Sequence, residues 1–119
     1  MSPTEFRPDN CQLTADFGAP TGQRDLRILG ELVRQICSAA LDSGNIEVLL
    51  FGSWAKGSAG PHSDIDIAFS GEVPRGLLGR LAEAIEDSRI LSRVDLVDLQ
   101  RASPAIRQAV ARDGRSWPI

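Results

Sequence analysis

The chain has 119 residues, of which 42% are hydrophobic and 24% are charged, a composition typical of one soluble globular domain. Its formal net charge of -3 argues against a protein that mainly coats nucleic-acid backbone, because that task requires clustered positive charge. No apolar run approaches the roughly 18 residues of a membrane-spanning helix, and we expect a cytoplasmic protein without membrane association.

The chain divides into two predicted regions. Residues 1–22 contain prolines and glycines with little periodicity, which predicts a flexible N-terminal arm. Residues 23–119 are predicted to form one domain, which opens with a helix because apolar residues recur at helical spacing from Leu26 to Ala40. The β-branched and apolar run "IEVLLF" then predicts a buried strand.

A glycine-rich segment, "GSWAKGSAGPHS", interrupts this strand before the second predicted strand, "DIDIAF". Leucines and isoleucines from Leu77 to Ile85 have helical spacing and predict an amphipathic helix. The run "RVDLVDL" predicts a third strand. The order of helices and strands predicts an α+β (mixed α/β) domain, with a three- to four-stranded mixed sheet flanked by helices.

The last predicted helix begins at Ser103 and Pro104, a capping residue followed by a proline in the first turn. Its predicted apolar stripe and C-terminal cap consist of Ile106, Ala109, Val110 and Gly114. Beyond it, Trp117 and Ile119 either fold back onto the sheet or form an apolar patch that faces a partner.

Asp64 and Asp66 stand one residue apart in the second predicted strand. Because side chains alternate across a strand, both project to one face, with Cα atoms roughly 6.6 Å apart. Two carboxylates at that distance repel unless they are protonated or neutralised by a cation such as Mg²⁺. Taken alone, the pair is equally typical of the solvent face of an edge strand.

A third carboxylate is expected from the third strand, where Asp95 and Asp98 have opposite parity and cannot share one face. Asp95 is favoured because it lies within the apolar run, whereas Asp98 stands nearer the strand end, where it can be solvated. The sequence leaves the choice between them open.

Gly52 and Ser53 follow the first strand and precede a helical turn, where backbone N–H groups, a hydroxyl and the helix dipole suit a phosphate. Lys56 adds positive charge one turn later. A Gly-Ser pair is more often a simple capped turn, but its combination with the carboxylates favours a nucleotide site. A Walker P-loop is excluded, because Ser58 and Ala59 stand where Lys and Ser or Thr are required.

These blocks resemble the nucleotidyltransferase superfamily of the DNA polymerase β type. The combination of "GSWAKG", "SDIDI" and "VDLVDL" is similar to the short minimal nucleotidyltransferases of prokaryotes, and the resemblance covers roughly residues 46–99. One departure is Lys56, because the minimal family usually has arginine there, and lysine lacks the bidentate fork of a guanidinium.

The resemblance implies a metal-dependent transfer of a nucleoside monophosphate, with AMP favoured, from an NTP to a hydroxyl on a protein or another acceptor. It implies two Mg²⁺ ions, with Mn²⁺ as an alternative, held by the catalytic and metal-binding residues Asp64, Asp66 and Asp95. The nucleotide-binding residues that it implies are Gly52, Ser53, Lys56 and Ser63.

The resemblance also implies a partner, because minimal nucleotidyltransferases commonly pair with small all-helical HEPN proteins in toxin–antitoxin systems. The chain would then be the antitoxin, with ATP as the favoured substrate. The charge balance separately predicts no extended nucleic-acid-binding surface. The alternative is a catalytically silent antitoxin or binding subunit that neutralises a helical partner by complex formation. The oligomeric state is left open.

Overall fold

The computed structural model describes residues 20–60 and 63–117. Most of the predicted arm, up to residue 19, lies outside the described residues, as does Ile119, and residues 20–22 belong to the first helix. In the described part of the chain, no helix combines the length and the apolar character needed to cross a membrane.

The elements follow one another as α1 (Pro20–Asp42), β1 (Ile46–Phe51), α2 (Gly52–Lys56), β2 (Ile65–Gly71), α3 (Leu77–Glu86), β3 (Val94–Asp98), a 3-10 turn (Leu99–Arg101), α4 (Pro104–Asp113) and β4 (Arg115–Ser116). The sheet order is β3-β2-β1-β4. Strand β1 is antiparallel to β2 and β4, whereas β2 and β3 are parallel. The predicted fold class, a mixed sheet of up to four strands flanked by helices, is confirmed.

One face of the sheet packs against α1 and α3 to form the core. Helix α1 contributes buried residues at helical spacing, among them Leu29, Val33 and Cys37, and α3 contributes Leu77 and Leu81. Full burial of an aliphatic side chain of this size stabilises the fold by roughly 1.5–3 kcal/mol. This packing therefore fixes the two helices and the sheet as one rigid support for the opposite face.

Strand β2 shows the period-2 alternation that its sequence predicts. Ile65, Ile67 and Phe69 are fully buried among the helices, which confirms the predicted inward face. Asp66, between the two isoleucines, points to the opposite face because successive side chains in a strand alternate. The core thus dictates the direction of the carboxylate.

The C-terminal region matches the sequence in part. Ser103 caps α4 by accepting a hydrogen bond from the Ile106 amide, as predicted, and Val110 is buried. The predicted apolar stripe is wrong at Ile106, which is 37% exposed because the helix turns that position outward. Trp117 folds back into the core, with its amide donating to the Val48 carbonyl at 2.9 Å.

Candidate active site

Two of the predicted carboxylates face each other on neighbouring strands. Asp66 in β2 and Asp95 in β3 are register partners in the parallel pair, and register partners share a face with Cα atoms about 4.8 Å apart. Asp64 is the exposed residue immediately before β2. The fold therefore brings Asp66 and Asp95 together and places Asp64 at the entrance of the same strand.

The electrostatics of this cluster are those of crowded acids. Burial raises the pKa of Asp66, and so do the charge of Asp95, a hydrogen bond between the two carboxyl groups, and the charge of Asp64. Arg93 opposes these effects and lowers the pKa of Asp66. A neutralising cation would therefore stabilise the ionised form of Asp66.

The geometry favours Asp95 over Asp98 as the third carboxylate. Asp98 is the register partner of Phe69, on the core-facing side of β2, and its Oδ1 accepts a hydrogen bond from the Gln100 amide at 3.0 Å. Asp98 therefore caps the 3-10 turn that follows β3. A catalytic role for Asp95 remains a prediction, and its position beside Asp66 supports that role.

Gly52 lies directly against the carboxylate of Asp66. Phe51, the last residue of β1, is the register partner of Asp66, and Gly52 continues the chain with φ of +72°. A Cβ atom at position 52 would collide with the Oδ2 atom of Asp66. Glycine is therefore required here both for its backbone conformation and for the close approach of the turn to the carboxylate.

Two of the other three predicted nucleotide-binding side chains, Lys56 and Ser63, have partners of their own. Ser53 is half-buried in α2. The Lys56 ammonium lies 3.8 Å from the Asp113 carboxylate at the end of α4, and the Ser63 hydroxyl accepts a hydrogen bond from the Gly60 amide at 2.8 Å. The nucleotide-binding roles of these residues remain predictions.

Arg93 is not among the site residues that the sequence predicts, because a single arginine close to acidic residues is usually solvated. Its Nε lies 3.5 Å from the Asp95 Oδ1, and its side chain is 75% exposed. The signal was available in the sequence, because residues two apart in a strand share a face and Arg93 is two residues before Asp95.

The carboxylate cluster suits a hard divalent cation in chemistry. Asp66 and Asp95 offer adjacent carboxylate oxygens, which are the ligands that Mg²⁺ prefers, and the glycine at position 52 leaves free the space beside the Asp66 Oδ2 that a Cβ atom would fill. Among the described residues, no three acid, histidine or cysteine side chains are close enough together to hold a metal ion. A cation would be held by Asp66 and Asp95 first, with Asp64 as the nearest further carboxylate.

Together, the mixed sheet, the carboxylate pair and the adjacent Gly-Ser turn are features that suit a protein acting on phosphate esters. The family described as "Polymerase beta, Nucleotidyltransferase" matches residues 35–116, which is more than half of the chain. The protein belongs to this family of nucleotidyltransferases.

Individual relatives agree with this assignment. The chain is 39% identical over 67 residues to a Haemophilus influenzae protein named probable protein adenylyltransferase MntA, and the match spans 55% of this chain and 59% of that relative. A solved minimal nucleotidyltransferase is 33% identical, with a TM-score of 0.55 over 78% of this chain and 96% of its own.

A third relative is an MNT antitoxin in complex with a tri-AMPylated HEPN toxin from Shewanella oneidensis. It is 26% identical to this chain, with a TM-score of 0.52, and the match covers 83% of this chain and 73% of the relative.

Proposed function

We propose that this protein transfers AMP from ATP to a hydroxyl group on a protein acceptor, as the metal-dependent antitoxin of a HEPN-type helical partner. The observation that carries the proposal is the pairing of Asp66 with Asp95 on adjacent strands, beside Gly52. The likeness to MntA and to the complex with a tri-AMPylated HEPN toxin supports the protein acceptor and the kind of partner.

The reaction is an in-line displacement at the α-phosphorus of the nucleotide. The acceptor oxygen forms a bond to this phosphorus while the bond to the bridging oxygen breaks, and pyrophosphate leaves. Asp95 accepts the hydroxyl proton as general base. When bound, divalent ions would neutralise the triphosphate and lower the pKa of the attacking hydroxyl.

The roles of the other residues follow from their places around this pair. Asp64 and Asp66 would hold the cation that accompanies the triphosphate. The Gly52 backbone and the Ser53 hydroxyl would contact phosphate oxygens, as would Ser63 on the other side of the loop. These assignments give a reason for two features of the site. Gly52 closely approaches the Asp66 carboxylate, and the surroundings of Asp66 disfavour its ionised form.

A second candidate is a binding subunit that neutralises a helical partner without turnover. Two predicted nucleotide-binding side chains favour this candidate, because they already contact other residues of the protein. Lys56 faces Asp113, and the Ser63 hydroxyl accepts a hydrogen bond from the Gly60 amide. The two candidates differ in whether ATP is consumed.

The experiment is incubation of the protein with α-labelled ATP, Mg²⁺ and the helical partner, followed by detection of label on the partner. Asp66→Asn and Asp95→Asn should each reduce the transfer about 100-fold or more, while the matched control Asp98→Asn should retain it. Tight binding of the partner with no label transfer would favour the binding subunit. Equal tolerance of the Asp95 and Asp98 substitutions would contradict the assignment of Asp95.

A further inference from the structure

We propose that Asp25 is a positioning residue for the carboxylate pair. Through hydrogen bonds to Leu91 and Ser92, it fixes the start of β3 and thereby the place of Asp95 opposite Asp66. As far as catalysis is concerned, the inference rests on the proposed function. The structural part, that Asp25 sets the position of β3, can be tested without activity.

Asp25 is a fully buried charged residue in α1. Its Oδ2 accepts three hydrogen bonds from the connection between α3 and β3: from the Leu91 amide at 3.1 Å, the Ser92 amide at 2.8 Å and the Ser92 hydroxyl at 2.7 Å. Burial of a carboxylate is unfavourable unless such bonds compensate for lost hydration. With three donors on one oxygen, Asp25 holds Leu91 and Ser92 in a defined position.

Arg24 reinforces the same contact. Its guanidinium donates a hydrogen bond to the Arg89 carbonyl at 2.7 Å and lies 3.5 Å from the free Oδ1 of Asp25. Two adjacent residues of α1 therefore hold three residues of the connection, at positions 89, 91 and 92. The contacts join positions more than 60 residues apart in the chain, so they determine where the connection lies relative to the core.

Local bonds in the connection do not perform this task. The Ser88 hydroxyl donates to the Ile85 carbonyl, and the Ile90 amide donates to the Ser88 hydroxyl. These contacts are local and stabilise only the turn that follows α3. Leu91 is 75% exposed and adds little packing, whereas Ile90 is partly buried against the core. Among the described residues, the long-range side-chain bonds of this connection all come from α1.

The path from Asp25 to the candidate site is short. The residue after Ser92 is Arg93, whose carbonyl accepts a hydrogen bond from the Ile65 amide at 2.9 Å. This bond opens the parallel pairing in which Asp66 and Asp95 become register partners. A displacement of the connection therefore reaches the carboxylate pair within three residues, and a misplacement of about 1 Å in a reacting group can lower a rate about 100-fold.

The experiment compares Asp25→Ala, Asp25→Asn and Ser92→Ala with Val33→Ala, a control in the same helix that removes fully buried apolar volume but no hydrogen bond. Hydrogen exchange of the Ile65 amide reports the attachment of β3. Mn²⁺ affinity, measured by electron paramagnetic resonance with the metal alone, reports the carboxylates. The kcat and KM for ATP are measured with the partner present, at temperatures where every variant is folded.

Asp25→Ala should accelerate exchange at Ile65 and lower kcat about 10- to 100-fold with a smaller change in the KM for ATP. Asp25→Asn, which keeps one accepting oxygen, and Ser92→Ala, which removes one donor, should give intermediate effects. If all three variants match Val33→Ala in exchange and in Mn²⁺ affinity, the inference is wrong. If wild-type protein transfers no AMP, the proposed function fails, but hydrogen exchange at the Ile65 amide still decides whether Asp25 positions β3. If Asp25→Ala does not fold, Ser92→Ala provides the same test.

Discussion

The contact between Gly52 and Asp66 leads to a prediction that separates backbone strain from damage to the site. Gly52 has φ of +72°, and Gly57, at the other end of the same short helix, has φ of +78°. In this left-handed region, an alanine costs roughly 1–2 kcal/mol relative to glycine. Gly52→Ala and Gly57→Ala should therefore carry nearly the same backbone penalty.

The two positions differ in what a new methyl group meets. At Gly57 there is open space, whereas at Gly52 the Cβ collides with the Asp66 carboxylate. Relief of such overpacking typically costs a further 1–3 kcal/mol or so. We therefore expect Gly57→Ala to lower the free energy of unfolding by about 1–2 kcal/mol and Gly52→Ala by about 2–5 kcal/mol.

The assay is urea unfolding of both variants, combined with Mn²⁺ binding and AMP transfer. Only Gly52→Ala should also lose Mn²⁺ affinity and activity, because only there must the Asp66 side chain move. Equal stability losses together with equal Mn²⁺ affinities for the two variants would refute the close approach of the turn to the carboxylate.

Three further predictions concern charge, the core and a helix cap. Asp66→Asn should raise the free energy of unfolding at pH 7, because burial, Asp95 and Asp64 raise the pKa of Asp66 above 3.8. The folded state then holds this proton more tightly than the unfolded chain, so wild-type stability falls as pH rises through the raised pKa. The gain should therefore vanish in acid, and a gain that is independent of pH in urea titrations would contradict this cause. Trp117→Ala should lower the free energy of unfolding by about 3–5 kcal/mol, because the side chain is only 8% exposed; circular dichroism during urea unfolding measures it, and Trp117→Phe should recover most of the loss. Ser103→Ala should cost about 1 kcal/mol through loss of the cap on the Ile106 amide, measured in the same way, whereas an unchanged unfolding midpoint would show that the cap contributes nothing.

Local signals made much of the fold predictable. Strand β1 has the predicted bounds, and α4 begins at the Ser103-Pro104 signal, because strand pattern and helix caps are set by neighbouring residues. Strand β4 was not predicted. It has only two residues, and it forms because the return of Trp117 to the core brings Arg115 and Ser116 alongside β1. A strand of this kind depends on tertiary packing, which no local pattern encodes.

The candidate site shows the same division. The parity of Asp66 and Asp95 could be obtained from the sequence, but the pairing of β2 with β3 that brings them together required the structure. Asp25 has no distinguishing pattern, since one acid in an amphipathic helix is usually solvated. Its buried bonds to Ser92 depend on how a connection 66 or 67 residues later passes over α1.

The weak ion pair between Lys56 and Asp113 allows Lys56 to change its partner when a nucleotide binds. The Lys56 side chain is 54% exposed, and a solvated ion pair of this kind contributes only about 0–1 kcal/mol. Lys56 can therefore move to a stronger anion, such as a triphosphate, with little loss of stability. Asp113 would keep Arg112, whose guanidinium lies 3.2 Å away. We expect ATP to alter the hydrogen exchange of the last turn of α4, and no change there on binding would leave Lys56 with its present partner. Binding at the proposed nucleotide site would in this way change the contacts of the C-terminal end of α4.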